Sequence, residues 1–98
     1  MSKIVVREAH SLPIAEAKNR VGAFDDFIQK YGAKLDWKSD TAAVIKGMGI
    51  SGDVSIGADS VTVMIKLGMM ARAAGVDPVK LEGSVRKRLA KAIAGEDL

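Results

Sequence analysis

Residues 41–67, TAAVIKGMGISGDVSIGADSVTVMIKL, decide the fold, because their apolar residues recur at every second position. In Ser60–Leu67, Val61, Val63, Ile65 and Leu67 face one way while Thr62, Met64 and Lys66 face the other, which is the period of a half-buried strand. The run before it alternates too, with Ile50, Val54 and Ile56 opposed to Ser51, Asp53 and Ser55. Between them Gly57-Ala58-Asp59-Ser60 is a turn cluster short enough to force antiparallel neighbours. The facing of Thr41–Lys46 stays open, since Ala42 with Val44 and Ala43 with Ile45 are both plausible inward sets, and a bulge or bend is expected at the glycines that follow.

The flanks of this stretch change period. Lys3–Glu8, with β-branched Ile4, Val5 and Val6, reads as a short edge strand. After Ser11-Leu12-Pro13 a helix begins, proline being tolerated where its missing N–H would have no helical partner. Ile14, Ala17, Val21, Phe24, Phe27, Ile28 and Tyr31 form one stripe at steps of three and four, predicting a single helix that Gly32 ends. Lys34–Lys38 alternates again, with Leu35 and Trp37 on one side. Beyond Leu67, residues 69–75 suit a short helical turn or a loose connection, and Asp77-Pro78 combines a cap with a first-turn proline. The last helix is predicted from Pro78 to about Ala94. Burying its stripe of Leu81, Val85, Leu89 and Ile93, with Ala92 beside it, is worth on the order of 6 to 12 kcal/mol gross. It must therefore dock on the sheet. The expected architecture is a single α+β domain over residues 1–98, β-α-β-β-β-β-α. It has two layers, with a mainly antiparallel sheet of four or five strands and two helices on one face.

Composition agrees with a globular domain, at 48% hydrophobic and 28% charged residues. With no cysteine, disulfides and thiolate metal sites are excluded, which suits a reducing cytoplasm. The opening Met-Ser-Lys-Ile-Val-Val-Arg-Glu has an apolar run too short for a signal peptide or a membrane span, so a cytoplasmic protein is expected.

Four features could carry function. Gly47-Met48-Gly49-Ile50-Ser51-Gly52 spells a dinucleotide fingerprint, but an alternating strand follows it rather than a helix, so glycines bending a strand are the better account. His10, the one histidine, has no second ligand or oriented partner in its neighbourhood and is expected to hydrogen-bond at the helix entrance. Asp25 and Asp26 point about 100° apart on a helix and cannot form a paired-carboxylate site, so they read as a solvated face. The last helix is basic, with Arg86, Lys87 and Lys91 the candidate anionic contacts. Yet the four aromatic residues of the chain offer no visible stacking platform for bases, which argues against nucleic acid. No catalytic, metal or cofactor-binding residues emerge, and a non-enzymatic protein is expected. Met48, Met69, Met70 and Val76 have two readings. Either the methionine pair fills an irregular gap beneath the last helix, or all four form an exposed, adaptable apolar patch through which the protein adsorbs or self-associates as a homo-oligomer.

Taken together, several runs resemble a family. They are Arg7-Glu8-Ala9-His10-Ser11-Leu12, Ala17-Lys18, Tyr31-Gly32 with Leu35 and Trp37, and Asp40-Thr41. Gly49-Ile50-Ser51-Gly52, the Val61–Leu67 strand and the basic last helix with Leu81-Glu82 and Leu89 complete the set. The chain is similar over almost its whole length to the small polyhydroxyalkanoic acid system proteins of bacteria. It departs from them in the small Ala42 and Ala43 and in a longer link from Met69 to Val76. The resemblance implies an accessory protein of polyester storage, granule-associated or regulatory, whose partner is the polyhydroxyalkanoate granule or a granule protein. Two other readings stand beside it: a domain holding a small apolar ligand between sheet and last helix, and weak nucleic-acid or anionic-surface binding through that helix.

Overall fold

The computed structural model describes residues 2–95. Five strands form one sheet: β1 (Ser2–Ala9), β2 (Ala33–Trp37), β3 (Ala42–Gly47), β4 (Ile50–Ile56) and β5 (Ser60–Leu67). Their spatial order is β1-β5-β4-β3-β2, with every neighbouring pair antiparallel. Strands β2 to β5 are successive hairpins, and β1 joins the far side of β5. The α+β architecture with helices on one face is as expected.

Registration makes the buried face continuous. Ile4 lies opposite Ile65, Ile65 opposite Gly52, Gly52 opposite Ile45 and Ile45 opposite Leu35. The next row runs Val6, Val63, Val54, Ala43 and Trp37. This settles the facing of β3, because pairing with Val54 turns Ala43, and with it Ile45, inward. Among the described residues the buried side chains are all apolar. A one-sided sheet needs a cover, and the helices supply it.

The predicted first helix is not continuous. It divides into α1 (Ile14–Gly22), α2 (Phe24–Ile28) and a 3-10 turn over Gln29–Tyr31, ended by Gly32 at φ 75°. The interruption follows Gly22, a weak helix former, where the Ala23 N–H bonds back to the Arg20 carbonyl at 3.2 Å. The stripe nevertheless stays inward, with Ala17, Val21, Phe24, Phe27 and Ile28 buried. The rings of Phe24 and Phe27 stand 5.4 Å apart. A short α3 (Met69–Ala73) leads to α4 (Pro78–Ala94), whose bounds match the expectation. The Asp77 carboxylate caps α4 by accepting from the Val79 N–H at 2.9 Å. At its other end the Arg20 guanidinium donates to the Ile93 carbonyl at 2.8 Å and pairs with Glu16 at 3.0 Å, tying α4 to α1.

Two polar groups do structural work. The His10 Nδ1 accepts from the Leu12 N–H at 3.0 Å, so Nε2 carries the proton and donates to the Gly57 carbonyl at 2.9 Å. His10 thereby pins the β4–β5 turn to the entrance of α1, in keeping with the sequence reading. Asp25 corrects that reading, since it is no mere solvated carboxylate. It accepts from the Leu35 backbone N–H at 2.9 Å and from the Gln29 amide at 3.0 Å, which occupies a backbone donor on the edge strand β2. Asp26 is exposed.

Leu89→Ala should destabilise by about 2 to 5 kcal/mol in urea denaturation, because Leu89 is fully buried, while Lys87→Ala should stay within about 0.5 kcal/mol. Equal losses would show that α4 does not pack as described. The glycines give opposite signs. Gly83, inside α4 with open space around it, should gain about 0.5 to 1 kcal/mol on change to Ala. Gly49→Ala should lose more than that, because Gly49 sits at φ 78° and an added Cβ would stand 2.8 Å from the Ala71 nitrogen.

Candidate functional site

The concave end of the molecule is assembled from three separate pieces of chain. The 3-10 turn brings Lys30 and Tyr31, the β3–β4 turn brings Met48 and Ile50, and α3 with its exit brings Met70, Ala71, Ala74 and Val76. Together they line an open groove of about 410 Å³. Gly49 makes the assembly possible, because its bare Cα lets the β3–β4 turn lie directly against Met70 and Ala71. Its carbonyl also accepts from the Gly68 N–H at 2.8 Å, which anchors the start of α3.

The other glycines of the fingerprint-like run are likewise there for close packing. A Cβ on Gly47 would stand 2.7 Å from that of Ala33, and one on Gly52 would collide with the Met64 carbonyl oxygen. The run forms the end of β3, a turn and the start of β4, so no helix N-terminus follows to receive a pyrophosphate.

Of the four residues read as an apolar patch, Met48, Met70 and Val76 meet in the groove. Met69 lies beside them on α3 but is not part of the lining. Met48 is 74% exposed, Met69 85% and Met70 59%, so the methionine pair does not fill a gap beneath α4. Lys30 and Tyr31 belong to the groove as well and were missed by the sequence reading, in which Tyr31 was simply part of a buried stripe. Tyr31 stands with its ring 5.6 Å from that of Phe27 and borders both the groove and the core. A second recess of about 370 Å³ continues from Tyr31 along Val76, Asp77, Lys80 and Ser84.

The interior offers little. The void among Phe27, Ile28, Tyr31, Ala33, Ile45, Ile50, Ile65 and Leu81 is about 10 Å³, a packing gap of about one water at most. The enclosed apolar cavity of the alternative reading, between sheet and last helix, is therefore filled by side chains, and among the described residues the larger spaces are open recesses at the surface.

The three basic residues singled out on α4 do not form one surface. At about 100° per residue, Lys87 and Lys91 lie roughly 40° apart, whereas Arg86 lies about 100° from Lys87. Arg86 faces Glu82, with Nη2 3.8 Å from the carboxylate. Lys80 and Ser84 share the side of Lys87 and Lys91, and Arg88 lies over the Phe27 ring at 5.7 Å. Among the described residues no three histidine, aspartate or glutamate side chains gather where they could hold a metal ion. No described helix is long and apolar enough to cross a membrane.

No curated protein matches the chain. Residues 4–93 match the family described as "Putative polyhydroxyalkanoic acid system protein". That match takes in β2 to β5, most of β1 and nearly all of α4, the elements that build the groove included, and the chain belongs to this family of polyhydroxyalkanoic acid system proteins.

Proposed function

We propose that the protein is a non-catalytic accessory of polyhydroxyalkanoate storage that docks on the cytoplasmic granule, or on a protein at its surface, through the methionine-rimmed end of the fold. The observation that carries this reading is the exposure of Met48, Met69 and Met70 around one groove. An amorphous polyester presents no fixed shape to recognise, and unbranched, polarizable methionines adapt to such a surface better than branched side chains do. Exposed apolar patches of this kind mark interaction sites. Both ring nitrogens of His10 are engaged with backbone groups, so the histidine serves to hold the β4–β5 turn.

A second reading rests on Lys30 and Tyr31. They place a cation and a phenol at the rim of an otherwise apolar groove, an arrangement suited to a short acyl chain ending in a carboxylate. On either reading the same end of the molecule is the contact surface, and it could also pair two copies.

Met69→Lys combined with Met70→Lys should leave the melting temperature nearly unchanged, since both side chains are already exposed. The same variant should abolish co-sedimentation with isolated, protein-stripped polymer granules. A variant that still sediments with granules would move the contact elsewhere. If the unaltered protein sediments only when other granule proteins are present, the partner is one of those proteins. Sedimentation velocity of the free chain tests self-association through the same patch.

A further inference from the structure

The sheet face opposite the helices aligns its lysines. Lys3 pairs with Lys66, Lys66 with Ser51, Ser51 with Lys46 and Lys46 with Lys34, so these five exposed residues form one row across all five strands. Like charges placed directly opposite each other destabilise a sheet, yet here Lys3 faces Lys66 and Lys34 faces Lys46. Lysines on the edge strands β1 and β2 can be understood as guards against strand addition. That account does not reach Lys46 and Lys66, which lie on the interior strands β3 and β5. Asp36 relieves part of the row by holding Lys46 at 3.1 Å, and the ammonium groups of Lys38, at 2.8 Å, and then Lys46 keep its carboxyl below the ordinary carboxylate range. Among the described residues Lys3, Lys34 and Lys66 form no ion pair. Next to the centre of the row a shallow recess of about 390 Å³ opens among Gly47, Gly49, Ile50, Ser51, Lys66 and Gly68.

We propose that this face binds the phosphate backbone of double-stranded nucleic acid along the lysine row, without reading bases. Four interstrand steps of about 4.8 Å make the row about 19 Å long. At 3.4 Å per step along the axis, that is the length of five to six base pairs of a duplex strand. The absence of an aromatic side chain from the face removes any platform for unpaired bases. Phe24 and Phe27 are buried, and Tyr31 and Trp37 pack against the core. The neighbouring row, about 7 Å away, reads Val5, Met64, Asp53, Val44 and Asp36. A flat anionic surface would cover both rows and meet Asp53 as well as Asp36, whereas a narrow backbone following the lysines has only Asp36 to displace, from Lys46. The Ser51 hydroxyl at the centre of the row can donate to a phosphate oxygen. None of the five row residues lines the methionine-rimmed groove, although the recess beside the row shares Ile50 with it, so substitutions in the row test this interaction apart from the groove.

The test is fluorescence anisotropy of the full chain with a labelled mixed-sequence duplex of about 20 base pairs at low salt. With Lys3, Lys34 and Lys66 each neutralising one phosphate and Lys46 a fourth on leaving Asp36, log affinity should fall against log salt with a slope between about −2.7 and −3.6. Lys46→Gln with Lys66→Gln should make that slope shallower by about 0.9 to 1.8 and weaken binding at least tenfold, with folding checked by circular dichroism. Arg86, Lys87 and Lys91 all changed to Ala should leave affinity within about twofold, as expected of residues that do not touch the ligand. Lack of binding at low salt overturns the proposal. So does a larger loss from the helix triple than from the sheet pair, or tighter binding to phosphatidylglycerol vesicles than to the duplex.

Discussion

One-sided burial of the sheet is the constraint on which the rest of the structure depends. The rows from Ile4 to Leu35 and from Val6 to Trp37 bring branched and aromatic side chains from distant parts of the chain onto one plane, and α1, α2 and α4 exist in their positions to cover it. A slip of one residue in any strand would turn its apolar set to water and its polar set inward, so the register is held by the whole core rather than by any turn. The outer face inherits its order from the same register. Its lysines align because the valines and isoleucines beneath them do.

Much of this was legible in the sequence where local pattern and long-range packing agree. Strand β5 alternates without interruption from Ser60 to Leu67, and α4 has its cap, its first-turn proline and an unbroken stripe, so both were read with their observed bounds. The first helix was over-read because its apolar stripe continues through Gly22 although the helix does not. Side chains can stay on one side of a chain whose axis bends, and a stripe cannot show the bend. Asp25 was misjudged for a related reason. Its partner, the Leu35 N–H, lies beyond the end of the helical region, where helix spacing has nothing to say.

The candidate surfaces were less legible than the fold. Met48, Met70 and Val76 were grouped as apolar residues near the exit from the sheet, and they do meet. What brings them together is the contact of Gly49 with α3, and the one hint of it in the sequence was a glycine that a hairpin alone could explain. Lys30 joins them through the 3-10 turn, whose position depends on where the broken helix ends. The lysine row was invisible because it depends on the register of each hairpin, which the sequence left open for β3, and because only the placement of β1 beside β5, out of sequence order, puts Lys3 next to Lys66. On α4 the opposite happened, as basic residues close in sequence were grouped although the helix turns Arg86 away from Lys87.

The pairing of β1 with β5 also bears on how the chain folds. Strands β2 to β5 join neighbours in sequence, and their turns can close early at little entropic cost. The first strand has to wait for the fifth, and His10 cannot reach the Gly57 carbonyl until the β4–β5 turn exists. Since α4 packs on β1, the last helix in turn depends on the first strand having found its place. During synthesis β1, α1 and α2 are made before the meander, which then stands with part of its apolar face uncovered until α4, its last cover, emerges and packs on β1. That interval is the period of greatest exposure to aggregation, and it ends when the two sequence-distant elements settle together.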